Sequence, residues 1–122
     1  MDVHAGKQEY ARAALSRAGL AEFAEFKLGD AREAIAALPG PIDFVLLDLW
    51  KDLYSPCFDP FYPKLGSGAM VVADNMIFPE FSRRDAEDYR RHVRAKADLQ
   101  SVLLPVGSGI EVSRCTRGLE FK

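Results

Sequence analysis

No apolar run in this 122-residue chain approaches the ~20 residues needed to cross a bilayer. No basic stretch followed by an apolar core stands at its start, so a secretory leader is not expected either. Cysteine is scarce: Cys57 and Cys115 stand apart, without metal-type spacing or a disulfide framework, as suits packed free thiols in a reducing compartment. These absences predict a cytoplasmic protein. An excess of charge of one sign is also lacking, since 16 basic against 18 acidic residues leave a formal charge of -2. Such a balance gives no general attraction to nucleic acid or to a membrane surface. Repeats, low-complexity tracts and linkers are missing as well. The length suits a single domain over residues 1–122, near the small end for a doubly wound α/β fold.

What is present is concentrated in two stretches, Ile42-Asp43-Phe44-Val45-Leu46-Leu47-Asp48-Leu49-Trp50-Lys51 and Ala69-Met70-Val71-Val72-Ala73-Asp74-Asn75. Each is an apolar run of strand length that ends in a carboxylate. Runs apolar on both alternating faces predict parallel strands covered by helices on both sides. In open α/β sheets, ligands bind beyond the carboxyl ends of the strands, which places Asp48, Asp74 and Asn75 where chemistry is expected. If the two strands are neighbours, their exits lie about 4.8 Å apart and one cation could touch both. Two carboxylates and an amide oxygen form an all-oxygen set suited to a hard ion such as Mg²⁺. The bland alternative is that Asp48 caps the following turn and Asp74-Asn75 forms an Asx-type loop.

The rest of the chain reads as an alternation of helices and strands. A helix is predicted over about residues 6–18, stopped by Gly19, followed by a strand from Phe23 to Leu28. Asp30-Ala-Arg-Glu33 has the capping-box form and opens a short helix ended by Pro39-Gly40-Pro41. Ser55-Pro56 starts a helix that Pro60 and Pro63 should shorten or kink. Gly66-Ser67-Gly68 is expected to turn the chain into the second diagnostic strand, and Ser82 to cap a polar helix reaching about Lys96. The arginines of that helix read as a solvated face. Gln100–Val106 and Ile110–Thr116 flank Gly107-Ser108-Gly109 and predict an antiparallel hairpin. Ser108 and Ser113 lack the strand-elbow context of a nucleophile, and Tyr54 and Tyr89 read as packing residues.

Asp48-Leu-Trp-Lys-Asp-Leu-Tyr54, followed at matching distance by Val72-Ala-Asp-Asn75, closely resembles the cation-dependent O-methyltransferases, especially the catechol O-methyltransferase type. The resemblance extends to Ala18-Gly19, Gly29-Asp30-Ala31, Leu104-Pro-Val-Gly107 and Gly109-Ile-Glu-Val-Ser-Arg114, and so covers nearly the whole chain. It implies a class I S-adenosylmethionine methyltransferase (Rossmann-like) α/β sheet with a terminal antiparallel hairpin. It further implies Mg²⁺ on Asp48, Asp74 and Asn75, a catechol-like small-molecule acceptor, and Lys51 as the base. Asp2, Ala31, Arg32, Asp48 and Trp50 would border S-adenosylmethionine, with Trp50 against the adenine and Asp2 on the ribose hydroxyls. Asp2 takes that role by ungapped counting back from Ala18-Gly19; as the second residue it is expected to fray. Without the resemblance, Trp50 reads equally well as a core aromatic.

The family's opening strand and glycine-rich turn have no counterpart in these residues. The expectation is therefore the distal part of a methyltransferase domain, with an unpaired sheet edge that favours a homodimer or other self-association. Two other classes remain in view. One is a non-catalytic remnant that acts as a binding or interaction protein. The other is a response-regulator receiver, which Asp43-Phe-Val-Leu-Leu-Asp48 resembles, although Leu103-Leu-Pro-Val106 lacks the lysine that a receiver needs.

Overall fold

The computed structural model describes residues 1–120. They form two compact units, divided after Leu38. In the first, α1 spans Ala5–Arg17 and α2 spans Ala31–Ala37. Gly19 takes the left-handed conformation (φ 71°) that ends α1, and Leu20 N–H donates to Leu15 O at 2.9 Å. Asp30 caps α2 by accepting from Arg32 N–H at 2.8 Å.

The strand expected from Phe23 to Leu28 is not formed. Ala21–Phe23 is a 3-10 turn, and one parallel bridge joins Leu28 to Asp2. A strand needs a neighbour to pair with, and α1 begins only three residues after Asp2. Asp2 itself is held rather than frayed: its N–H donates to Lys27 O at 3.1 Å and its C=O accepts from Gly29 N–H at 2.9 Å.

The second unit contains β1 (Ile42–Leu47), β2 (Leu65–Ala73), β3 (Leu99–Leu104) and β4 (Ile110–Cys115), in the spatial order β1-β2-β4-β3. β1 and β2 run parallel, and β4 is antiparallel to both β2 and β3. The terminal hairpin is therefore formed as expected, and it does not occur in the all-parallel sheet of a receiver. Between the parallel strands lie α3 (Tyr54–Phe61), which contains Pro60, and short 3-10 turns on either side of it. α4 runs from Arg83 to Arg94.

The glycines at 66 and 68 are not a turn before β2 but part of it. Register passes from Ile42↔Leu65 to Phe44↔Met70, so β2 bulges against β1, with Gly68 at φ 78°. Ser82 stands at the N-cap position of α4, but its side chain accepts no helix N–H; its hydroxyl donates to Pro79 O at 3.0 Å.

One face of the sheet is buried, including Leu47, Val71, Ala73, Glu111 and Ser113. The aromatic core beside it is built from Tyr54, Phe58, Phe61 and Tyr89, with Tyr54 and Tyr89 edge to face at 5.4 Å. Glu111 is fully buried in β4 and takes two hydrogen bonds from Arg94, at 3.0 and 2.7 Å. Arg90 Nε lies 3.9 Å from the same carboxylate. Two of the arginines expected on a solvated face thus neutralise a buried acid. The opposite face departs from the expectation of cover on both sides: Phe44 and Leu46 of β1 are 61% and 58% exposed. Both cysteines are buried free thiols. Among the described residues, no helix is long and apolar enough to cross a membrane.

Candidate active site at the exits of β1 and β2

Leu47 pairs with Ala73 at the end of the parallel ladder, and Asp74 N–H continues the pairing by donating to Leu47 O at 3.0 Å. The next residue on each strand is an aspartate, so Asp48 and Asp74 leave the sheet side by side. Asp48 is exposed and Asp74 half-buried. Asn75 follows with φ 59°, a left-handed conformation to which asparagine is better suited than most residues. Its N–H donates to Asp74 Oδ1 at 2.7 Å, one residue on rather than the two of an Asx turn. The turn after β1 begins at Trp50 with no side-chain cap, so Asp48 does not cap it.

Lys51 enters from the 3-10 turn after β1. Its Nζ donates to Leu49 O at 3.1 Å, to Tyr54 Oη at 2.9 Å and, over a longer 3.4 Å, to Asn75 Oδ1. Tyr54 Oη in turn donates to the Asp74 carbonyl at 3.0 Å. Partial burial pushes the Lys51 ammonium below the ordinary lysine range, while Asp48 and Asp74 pull it back upward. Burial, with the same two carboxylates, pushes the Tyr54 hydroxyl well above the ordinary tyrosine range. Tyr54 therefore stays un-ionised and can both accept from Lys51 and donate to Asp74. It is buried, but it is more than packing.

Ser108 completes the cluster from the β3–β4 turn. Its hydroxyl accepts from Asn75 Nδ2 at 2.8 Å and donates to Asp74 Oδ1 at 3.3 Å. Neither role was visible as a sequence pattern. The signals available were Tyr54 one helical turn after Lys51, and a serine between two glycines.

Trp50 is 73% exposed, which removes the core-aromatic reading. Asp2, Ala31 and Arg32 belong to the other unit. There the Asp2 carboxylate accepts from His4 N–H at 2.8 Å, which holds its carboxyl below the usual range. Arg32 is exposed and bonded through its guanidinium to Asp30, with Nη2 to Oδ2 at 2.5 Å, while Ala31 is half-buried in the first turn of α2.

The donor set suits a hard cation in chemistry, with carboxylate oxygens on both strand exits and an amide oxygen beside them. It is lean: among the described residues, no group of three or more His, Cys, Asp or Glu could hold a metal ion. A cation here would use two carboxylates and an amide, leaving positions for water or substrate oxygens.

No family model matches the sequence. Solved structures do match the fold. A methyltransferase from Geobacter sulfurreducens is 23% identical with a TM-score of 0.78, over 94% of this chain and 56% of its own. The O-methyltransferase TomG from Streptomyces achromogenes, solved in complex with SAM, is 21% identical with a TM-score of 0.82, over 94% of this chain and 60% of its own. An O-methyltransferase from Bacillus cereus in complex with SAH is 18% identical with a TM-score of 0.80, over 93% of this chain and 60% of its own. The chain thus spans less than two thirds of the length of the structures it matches, and its fold is that of the class I methyltransferases.

Proposed function

We propose that these residues form the cation- and acceptor-binding part of an S-adenosylmethionine-dependent O-methyltransferase for a catechol-like small molecule. The observation that carries the reading is the meeting of Lys51 Nζ with Asn75 Oδ1 at 3.4 Å, beside Asp74, at the exits of two parallel strands. When bound, Mg²⁺ would lower the pKa of an acceptor hydroxyl, and S-adenosylmethionine would supply an electrophilic methyl group.

The chain's own residues do the rest. Asp48, Asp74 and Asn75 present oxygens to the cation. Lys51 receives the hydroxyl proton, for which it must itself be deprotonated, and its burial favours that form. Tyr54 holds Nζ in place through its own hydroxyl. Trp50 offers an exposed ring to the adenine, and Asp2, Ala31 and Arg32 are assigned to the cofactor by the sequence resemblance. Orientation of the two reactants is the main source of rate in such a transfer.

The test is calorimetric titration of the chain with S-adenosylhomocysteine in the presence of Mg²⁺, with Trp50→Ala as control. Micromolar binding lost in the variant supports the reading, and methyl transfer to catechols that Lys51→Ala abolishes would establish it. Mg²⁺ binding without adenosyl binding would favour the second reading, a non-catalytic binding protein.

A further inference from the structure

The turn between β3 and β4 is fastened to the segment that follows Asn75. Met76 N–H donates to Gly109 O at 2.9 Å, and Ile77 and Phe78 N–H donate to Ser108 O at 2.8 and 3.1 Å. Gly109 has φ 86°, and a Cβ there would meet Ile77 Cγ1 at 2.6 Å, so the turn is seated too closely for any side chain. Ser108 is thereby held with its hydroxyl between Asn75 Nδ2 and Asp74 Oδ1.

A serine hydroxyl has one proton to give. Donated to the Asp74 carboxylate, that proton leaves only lone pairs toward Asn75, so the Asn75 amide must present its NH₂ to Ser108 and its Oδ1 to the other side. The flipped amide would set two oxygens against each other at Ser108, and an NH₂ against the Lys51 ammonium. The same hydroxyl, with Asn75 N–H, occupies Asp74 Oδ1 and leaves Oδ2 for other partners.

We propose that Ser108 is a positioning residue of the cation site, turning the Asn75 amide so that its oxygen faces a bound divalent ion and fixing which oxygen of Asp74 does so. The inference rests on the reading of Asp48, Asp74 and Asn75 as ligands. It gives the β3–β4 turn a role in the site although it donates no ligand.

The experiment is Mn²⁺ binding to the full chain by electron paramagnetic resonance, comparing wild type, Ser108→Ala, Ser108→Thr and Asp48→Asn. The Asn75 side-chain amide is followed in parallel by ¹⁵N nuclear magnetic resonance. Expected are Mn²⁺ binding by wild type that Asp48→Asn removes, a roughly 10–100-fold weakening in Ser108→Ala with a displaced Asn75 amide signal, and recovery in Ser108→Thr. Ser108→Cys, nearly isosteric but a poor hydrogen-bonding group, replaces Ser108→Ala if that variant does not fold. Mn²⁺ binding by Ser108→Ala equal to wild type overturns the role of Ser108 and leaves the ligand set standing. A folded wild type that binds no Mn²⁺ overturns both.

Discussion

Lys51 is subject to two opposed influences, and their balance can be measured. Burial lowers its pKa, while Asp48 and Asp74 raise it. Replacing Asp48 by Asn removes one of the raising charges, so the Lys51 pKa should fall further. Reductive ¹³C-methylation followed by a pH titration of the Lys51 signal would show this as an acid-shifted midpoint; an unchanged midpoint would mean that the carboxylate does not act on the amine. The linkage sign follows from the depressed pKa. Between the folded and the unfolded pKa the unfolded chain binds more protons, so this group makes stability rise as pH rises through that window. Asp30 is shifted in the same direction: Arg32, through its side chain first and then its backbone N–H, holds the carboxyl down to about 2. The stabilisation from Asp30 is then present above the ordinary aspartate pKa and is lost as pH falls through about 2. A carboxyl ¹³C titration of Asp30 with its midpoint near the ordinary value would contradict the cap.

At the scale of elements, α4 and β4 are joined by a charge pair that a solvated-face reading of the arginines did not foresee. Glu111 is fully buried and bonded twice by Arg94. Arg94→Ala would leave that carboxylate with Arg90 at 3.9 Å as its remaining cation. Breaking such a pair from one side costs about 3–5 kcal/mol. Urea unfolding should show a loss near that range, and a loss below about 1 kcal/mol would mean that the pair behaves as an exposed one. The case shows what was legible in the sequence and what was not. β1, β2 and the β3–β4 hairpin could be read because apolar runs and glycine turns are local signals, and the acids at the strand exits followed from them. The partners of Glu111, the seat of Ser108 against Asn75 and the double role of Tyr54 depend on register between distant segments, which no local pattern carries. The glycines at 66 and 68 were misread because a bulge and a turn ask for the same residue. The segment from Phe23 to Leu28 has strand composition, but pairing, not composition, makes a strand.

At the scale of the whole molecule, the sheet of the second unit ends, among the described residues, at β1, which pairs with β2. On the face away from Leu47, β1 presents Phe44 and Leu46, and β3 presents Val102 at 50% exposure. Within β1, Asp43 and the register shift against β2 limit edge-to-edge pairing, so the exposed apolar side chains rather than the strand edge are what a second copy would cover. Burying Phe44 and Leu46 would each contribute roughly 1.5–3 kcal/mol, doubled when two copies contribute the same surface, against an association cost of about 4–15 kcal/mol. We propose self-association through this face of β1, and the proposal predicts a defined response. Phe44→Lys with Leu46→Glu places charges on the exposed face while leaving Val45 and Leu47 to the core. Sedimentation velocity should then show the wild type associating with rising concentration and the double variant remaining monomeric with an unchanged circular dichroism spectrum. Association that persists undiminished in the folded variant would move the interface elsewhere. β1 would then be an edge that Asp43 and the register shift beside it suffice to protect.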